Sequence, residues 1–215
     1  MNSNVYTYDG DDVTVIWDRA RCIHAEACVQ GLPSVFNPER RPWIDPDQAD
    51  PAAVTAVVPQ CPTGALHLTQ NGTNPEPTPD ANHISIDANG PLYVHADAEL
   101  VDADGATLLT DTRMALCRCG RSDNKPLCDG SHEEGFEDAG RIAVDHLSTS
   151  DDAADNGPLR IRTTEDGPFV VEGPVTIEGK SEAVSGHRGA LCRCGASGSK
   201  PFCDGSHAEV GFESA

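Results

Sequence analysis

The sequence has little aromatic character and little positive charge. Aromatic residues are 5% and hydrophobic residues 38% of its 215 positions, so each small domain has limited core material and needs an added constraint such as a metal centre. Lysine and arginine number 15 against 35 aspartates and glutamates, giving a formal charge of −20. Nucleic acid and anionic membranes are therefore poor partners. Because salt screens such self-repulsion, we expect a halophilic source.

Long apolar stretches are also absent. No run approaches the roughly 18 residues that a membrane span requires, and the opening letters MNSNVYTYDGDD lack the regions of a signal peptide. We therefore expect a cytoplasmic protein that does not bind membranes. In that reducing compartment the nine cysteines, an odd number, are better explained as metal ligands or redox groups than as disulfides.

One sixteen-residue stretch occurs twice. CRCGRSDNKPLCDGSH spans 117–132 and CRCGASGSKPFCDGSH spans 192–207. The segments ISIDANGPLYV (84–94) and IRTTEDGPFVV (161–171) precede the two copies in matching order. The chain therefore contains an internal repeat longer than the motif itself.

Two segments have the composition of linkers. Residues 69–82 are rich in Pro, Asn and Thr, and residues 146–158 in small and acidic side chains. They divide the chain into three predicted domains, at 1–70, 83–145 and 159–215.

Short strands are the dominant local pattern, and we expect an α+β fold. In the first domain, residues 5–17 predict a β-hairpin, 51–58 a short helix and 65–69 a closing strand. The repeats predict strands at ISID, PLYVH and AELVDA, and again at LRIR, PFVVEG and VTIEG. After each third cysteine, the letters DGSH predict a short helix that begins at Asp or Ser.

Each copy of the motif offers four metal ligands at fixed spacing. The first copy has Cys117, Cys119, Cys128 and His132, and the second has Cys192, Cys194, Cys203 and His207. Three thiols and one imidazole can also bind structural zinc, but zinc modules usually separate their first two cysteines by two to four residues, whereas here one residue lies between them. Buried, inert thiols are a third explanation, made less plausible by the identical repetition.

The two stretches resemble the motif of the CDGSH, or NEET, iron–sulfur proteins over its whole length. The resemblance implies one 2Fe-2S cluster per copy, with the Cys-x-Cys pair on the buried iron and the third Cys and the His on the outer one. Members with one motif are expected to pair as homodimers. Because this chain has two motifs, the resemblance implies that its two β-rich repeats make the same pairing within one chain. We therefore expect a monomer that contains an internal pseudo-dimer.

Other residues of the motif suit the surroundings of such a cluster. A neutral His ligand raises the potential relative to an all-cysteine set and gives the site a group that titrates near neutral pH. Ser122 and Ser197 are suited to donate hydrogen bonds to a cluster sulfur, and Lys125 and Lys200 to offset the negative charge of the cluster. Asp129 and Asp204 are expected to accept hydrogen bonds that fix the Asp-Gly-Ser turn. Loop solvation is the alternative role for these side chains. Gly130 and Gly205 are expected to permit the tight turn.

The remaining cysteines, Cys22, Cys28 and Cys61, lie in the first domain. Their spacing follows the C-x2-C-x2-C run and remote Cys-Pro of bacterial ferredoxins, except that Ala25 occupies the middle position. Residues 5–70 resemble a divergent mono-cluster ferredoxin domain. Three thiolates suit a 3Fe-4S cluster, and His24 or solvent as a fourth ligand allows a 4Fe-4S cluster. His24 is better explained as a hydrogen bonder, and three structural cysteines are the further alternative.

These features favour an electron-transfer protein that works with a redox partner protein. No nucleophile with a base and no nucleotide-binding glycine loop is recognisable, so we expect no enzyme activity. Iron–sulfur cluster transfer, redox sensing and a structural zinc-binding interaction module are the alternatives.

Overall fold

The computed structural model describes residues 4–149 and 157–214, which form two compact units. One unit ends at Pro77 and the other begins at Thr78. The two predicted repeat domains therefore belong to one unit. Residues 150–156 of the predicted linker lie outside the described part of the chain.

The N-terminal unit is a three-stranded antiparallel sheet with short helices. Its strands are β1 (Val5–Asp9), β2 (Val13–Asp18) and β3 (Leu66–Gln70), in the order β1-β2-β3. Its helices are α1 (Ala27–Gly31) and α2 (Pro51–Val57), with 3-10 turns at Arg19–Arg21, Pro46–Gln48 and Val58–Gln60. These elements confirm the predicted hairpin, helix and closing strand.

Local chemistry explains where these elements begin and pack. The Asp50 side chain accepts a hydrogen bond from the backbone of Ala52, and Pro51 occupies the first helical position, so α2 begins there. Val15 and Leu68 pair across β2 and β3 and are fully or almost fully buried. The strands thereby hold the loops around Cys22 and Cys61 on one small core.

In its described residues, the second unit contains six strands and two short helical segments. The first copy supplies β4 (His83–Ile86), β5 (Leu92–Val101) and β6 (Thr107–Leu116), and the second supplies β7 (Leu159–Thr163), β8 (Phe169–Glu178) and β9 (Ala183–Leu191). A 3-10 turn at Ser131–Glu133 and the helix α3 (Ser206–Glu209) follow the third cysteines, which confirms the predicted helix starts at serine.

The strand predictions for the repeats were partly wrong. PLYVH and AELVDA form the single strand β5, and PFVVEG and VTIEG form the single strand β8, because register shifts after His95 and Glu172 let each strand continue through an irregularity. Gly173-Pro174 lies in the second of these bulges, where proline is tolerated. The strands β6 and β9 were not predicted, because their sequences are polar or contain glycine and so lack a clear alternation of apolar and polar residues.

The two copies share one sheet through symmetric exchanges between strands. β4 pairs antiparallel with β5 of its own copy and parallel with β8 of the other, while β7 pairs antiparallel with β8 and parallel with β5. The register matches as well: Ile84 faces Ile177 in one exchange, and Ile161 faces Leu100 in the other. All four side chains are buried at 0–1% exposure.

Within the described ranges, none of the helices is long or apolar enough to cross a bilayer.

We expect Leu100→Ala to lower the free energy of unfolding by about 2–5 kcal/mol, because it leaves a cavity where the copies meet. Leu108→Ala is the matched control: Leu108 is 50% exposed, so its truncation should cost less than about 0.5 kcal/mol. Urea unfolding followed by circular dichroism measures both. Equal losses for the two variants would contradict the role of Leu100 in joining the copies.

Candidate metal centres

Each motif forms a loop that starts where the last strand of its copy ends. Cys117 directly follows β6, and its backbone N–H donates to the Pro126 carbonyl at 2.9 Å, while the Cys128 N–H donates to Ala115 at 2.9 Å. The second loop repeats these bonds, from Cys192 to Pro201 at 2.7 Å and from Cys203 to Ala190 at 2.8 Å. The strand end and the returning segment therefore fix the first and third cysteines of each copy against each other.

The four predicted ligands of each copy are grouped as two pairs. In the first copy, the sulfurs of Cys117 and Cys119 are 3.8 Å apart, and the Cys128 sulfur is 3.2 Å from Nδ1 of His132. Two thiolates on one tetrahedral metal at about 2.3 Å would be about 3.8 Å apart. The second copy repeats the arrangement, at 3.8 Å for Cys192 and Cys194 and 3.3 Å for Cys203 and His207.

The pairing bears on the kind of metal centre. Among the residues that the structure describes, no group of three or more Cys, His, Asp or Glu side chains is placed to hold a single metal ion. A structural zinc needs four ligands around one point, whereas a binuclear iron centre takes two ligands at each iron. The donor set and its two-plus-two arrangement therefore fit a 2Fe-2S centre.

Burial governs the acid–base state of these ligands. It raises the pKa of Cys128 to about 11 and that of Cys192 to about 11, so both thiols are protonated at neutral pH without metal. Burial also lowers the pKa of His132, which favours the neutral imidazole that binds metal. Metal loading therefore displaces protons from Cys128 and Cys192 rather than from His132.

The two aspartates of the motifs accept hydrogen bonds within the turn between the third cysteine and the histidine. Asp129 accepts hydrogen bonds from the Ser131 backbone at 3.0 Å, the Ser131 hydroxyl at 2.7 Å and the Asp123 N–H at 2.7 Å. Asp204 accepts the matching bonds from Ser206 and Gly198. These bonds hold the pKa of Asp204 well below its usual range, so the ionised carboxylate keeps accepting from Ser206 and Gly198 down to low pH.

The two serines of the motifs bond the backbone of their own loops. Ser122 donates its hydroxyl proton to the Leu127 carbonyl at 2.7 Å, and Ser197 donates to the Phe202 carbonyl at 2.6 Å. Both serines thereby brace the loop from inside, and donation to a cluster sulfur stays a prediction. Lys200 donates to the Ser197 carbonyl within the same loop. Lys125, at the equivalent position of the first copy, is half-buried. The charge-compensating role of both lysines stays a prediction.

The arginine between the first two cysteines is a supporting residue that the sequence reasoning missed. Arg118 is 1% exposed and Arg193 is 3% exposed. Each guanidinium lies over aromatic rings: Arg118 over Phe136 at 5.1 Å, and Arg193 over Phe169 and Phe212 at 5.3 and 5.6 Å. The repeated letters CRC contained the signal, because a cation between two ligands in both copies is unusual in a chain so poor in basic residues.

The two loops touch each other next to their second cysteines. A Cβ on Gly120 would lie 2.7 Å from the Cys194 carbonyl oxygen, and one on Gly195 would lie 2.8 Å from that of Cys119. Both glycines have positive φ, +77° and +80°. Only glycine allows this approach, which places the Cys-x-Cys sides of the two sites next to each other.

The three cysteines of the N-terminal unit line one cavity. Its volume is about 540 Å³, and its walls include Cys22, Cys28 and Cys61 together with His24 and Ala25. That is many times the roughly 30 Å³ share of one liquid water molecule, so three thiols and this space fit a multi-iron centre. Burial raises the pKa of Cys28 to about 11, with the other two cysteines adding to the shift.

The same cavity is lined by four of the five tryptophan and tyrosine side chains of the chain. Both tryptophans, Trp17 and Trp43, line it, as do Tyr6 and Tyr8. The two indoles pack edge to face with centroids 4.9 Å apart. Arg21, which is 8% exposed, donates to the Thr63 carbonyl at 2.8 Å and so ties the loop of Cys22 to that of Cys61. The sequence reasoning had assigned no role to Arg21 or the aromatic residues.

Comparison with known families agrees with this geometry. Residues 8–71 match a family described as a divergent 4Fe-4S mono-cluster. Residues 89–133 and 166–208 each match a family described as an iron-binding zinc finger of CDGSH type. The chain thus combines a divergent 4Fe-4S mono-cluster domain with two iron-binding domains of CDGSH type.

Similar proteins add little on the role of this CDGSH protein. An uncharacterized protein, YjdI, of Escherichia coli K12 is 44% identical over 59 residues, which are 27% of this chain and 78% of that protein. Its counterpart in Escherichia coli O157:H7 matches with the same values. No solved structure matches. The matches thus establish which domains the chain contains, while the role of the protein rests on the geometry of its sites.

We expect Gly120→Ala to destabilise the CDGSH unit more than Gly130→Ala does. Both glycines have positive φ, but a Cβ on Gly120 meets backbone at 2.7 Å whereas nothing lies within 4 Å of one on Gly130. The difference should be about 1–3 kcal/mol, the cost of overpacking. Urea unfolding at matched iron content measures it, and equal losses would mean that the contact between the loops contributes nothing.

Proposed function

We propose that this CDGSH protein is an electron carrier with three iron–sulfur centres and no catalytic activity of its own. Each copy of the motif holds one 2Fe-2S centre through its three cysteines and its histidine, and the N-terminal cysteines hold one 3Fe-4S or 4Fe-4S centre. The observation that carries the proposal is the arrangement of ligands as two pairs, repeated in both copies. A bound iron–sulfur centre exchanges single electrons without breaking covalent bonds.

The chain supplies a suitable environment for electron exchange. The Cys-x-Cys side of each site lies inside the unit, and Cys117 and Cys192 are 0% exposed. His132 and His207 are half-buried and lie nearer the surface. The histidine side of each site is therefore the side that a partner protein approaches, and the inner sides face the other copy.

We also propose that the two copies form an internal pseudo-dimer, so that the chain works as a monomer. The equivalent exchanges of β4 and β7 support this proposal, because each copy completes the sheet of the other. A redox partner with a basic patch suits the net charge of −20.

A second candidate function is delivery of iron–sulfur clusters. It is favoured by the partial exposure of Cys203 and His207, because a partly exposed ligand pair is open to an incoming acceptor.

Metal analysis tests the number of centres. Protein purified anaerobically in high salt should hold about four irons in two His-ligated 2Fe-2S centres and three or four more in the N-terminal unit. Cys61→Ala should remove only the N-terminal irons, and Cys192→Ala about two of the others. Zinc without sulfide or colour would overturn the proposal.

Redox titration tests whether the copies are independent carriers. We expect two midpoints for the two CDGSH centres, because residues near the ligands differ between the copies. His132→Cys adds a negative charge and should lower one midpoint, while His207→Cys should lower the other. A single transition that moves in both variants would contradict independent centres. Reduction by a partner that never oxidises the centres would favour a sensor over a carrier.

A further inference from the structure

The two copies of the motif are unequal in how firmly they are held. All three cysteines of the first copy are buried, whereas Cys194 and Cys203 of the second copy are half-buried. The ligand pairs themselves have the same spacing in both copies. The inequality therefore lies in the residues around the ligands.

The first difference concerns the buried arginine between the cysteines. Arg118 is hydrogen-bonded through all three of its nitrogens: to the Gly90 carbonyl at 3.0 Å, the Asp87 carbonyl at 2.8 Å and the Asp138 carboxylate at 2.6 Å. The ion pair with Asp138 is almost fully enclosed, with side-chain exposures of 0% and 12%. Such charge-assisted bonds are the stronger class.

The equivalent arginine of the second copy is poorly bonded. Arg193 donates to the Thr164 and Ser214 carbonyls, both at 3.3 Å, and its Nε is buried without a partner. Ser214 stands two residues after Phe212, where the first copy has Asp138 two residues after Phe136. The ion pair of the first copy is thus replaced by two long bonds to carbonyl groups.

The second difference concerns the segment that follows the histidine. Arg121 of the first copy donates to the carbonyls of Glu134 and Gly135, and so clasps the residues directly after His132. Ala196 stands at the equivalent position of the second copy and has no group to donate. The second copy also has one extra residue after its histidine, where Val210 is 57% exposed.

We propose that the first copy is the retained centre and that the second copy, with Cys192, Cys194, Cys203 and His207, is the site from which iron leaves the chain first. Arg118, Asp138 and Arg121 act as positioning residues for the ligands of the first copy. Iron leaves when ligands detach from it, and a segment that is not clasped detaches more readily. The inference rests on the part of the proposed function that gives each copy a centre, and it does not depend on electron transfer.

The test follows iron release from the full-length, loaded protein to 2,2′-bipyridyl under anaerobic, reducing conditions, with the loss of visible absorbance as a second readout. Single-copy variants, Cys128→Ser and Cys203→Ser, identify which phase belongs to which copy. We expect two phases, the faster one from the second copy. Equal rates, or a faster first copy, would overturn the proposal.

Exchanging the surrounding residues tests the cause. The Ser214 hydroxyl bonds the Asp166 carboxylate, whereas Asn89 stands at the equivalent position of the first copy, so Asp166→Asn accompanies Ser214→Asp and avoids two facing carboxylates. Together with Ala196→Arg, these changes should slow release from the second copy about tenfold, and Asp138→Ser with Arg121→Ala should speed release from the first about tenfold, the change expected from hydrogen bonds to charged groups. The first set of changes adds groups at a half-buried and an exposed position, so it remains informative if the second set impairs folding. Unchanged rates in both sets would overturn the role of these residues.

Two controls separate this effect from general instability and from a failure of the proposed function. Arg188→Ala removes an arginine whose side chain is 63% exposed and should leave both phases unchanged. A purely structural effect would move both phases together, because the copies share one sheet, and it would overturn the inference. Iron and sulfide are counted before the chelator is added: a second copy that never loads contradicts the proposed function, whereas two loaded copies that release at equal rates contradict only this inference.

Discussion

The parallel pairing of each copy's first strand with the second strand of the other copy is the constraint on which the CDGSH unit depends. β4 and β7 are only four and five residues long, and a two-stranded hairpin is marginal in water. Each short strand pairs with one strand of its own copy and one strand of the other, and these pairings join the six strands into one sheet. The apolar side chains at these crossings, such as Ile84 and Ile161, are then buried completely, so neither copy has a complete core without the other.

The metal sites inherit their geometry from this sheet. β6 and β9 end at the first cysteine of each motif, so the register of the sheet sets where Cys117 and Cys192 lie. The reciprocal contact of Gly120 and Gly195 with the opposite loop follows from the same symmetry. Shared burial keeps the first cysteine of each motif, Cys117 and Cys192, at 0% exposure.

The repeat, the ligand spacing and the short helices after the third cysteine were predictable from the sequence, because each depends on residues close together along the chain. The bulge at Gly173-Pro174 was not, since the same letters also mark a turn and only pairing with β9 decides between them. The resemblance implied that the two copies pair internally but not the particular exchange of β4 and β7, because strand partners far apart in sequence leave no local pattern. The bond from Ser122 to the Leu127 carbonyl was not predictable either, because the sequence does not show whether a hydroxyl near a ligand bonds that ligand or the backbone of its own loop.

The N-terminal unit surrounds its cysteines with different residues from those of the CDGSH unit. Its sheet has three strands, and its candidate site is a cavity whose walls use both tryptophans and two of the three tyrosines of the chain. Large aromatic side chains thus shield the N-terminal cysteines, whereas in the CDGSH unit the second copy provides the shielding. The cysteine spacing indicated the ligands, but the shielding residues are scattered along the sequence and meet only after folding.

The replacement of Asp138 by Ser214 has a consequence at the level of the gene. A complex built from two identical chains carries every substitution twice, so a change that loosens one site loosens the other. Once both copies are encoded in one reading frame, each position can mutate alone. Fusion thus allows one copy to keep the residues that hold its ligands firmly while the other copy acquires substitutions that change its properties.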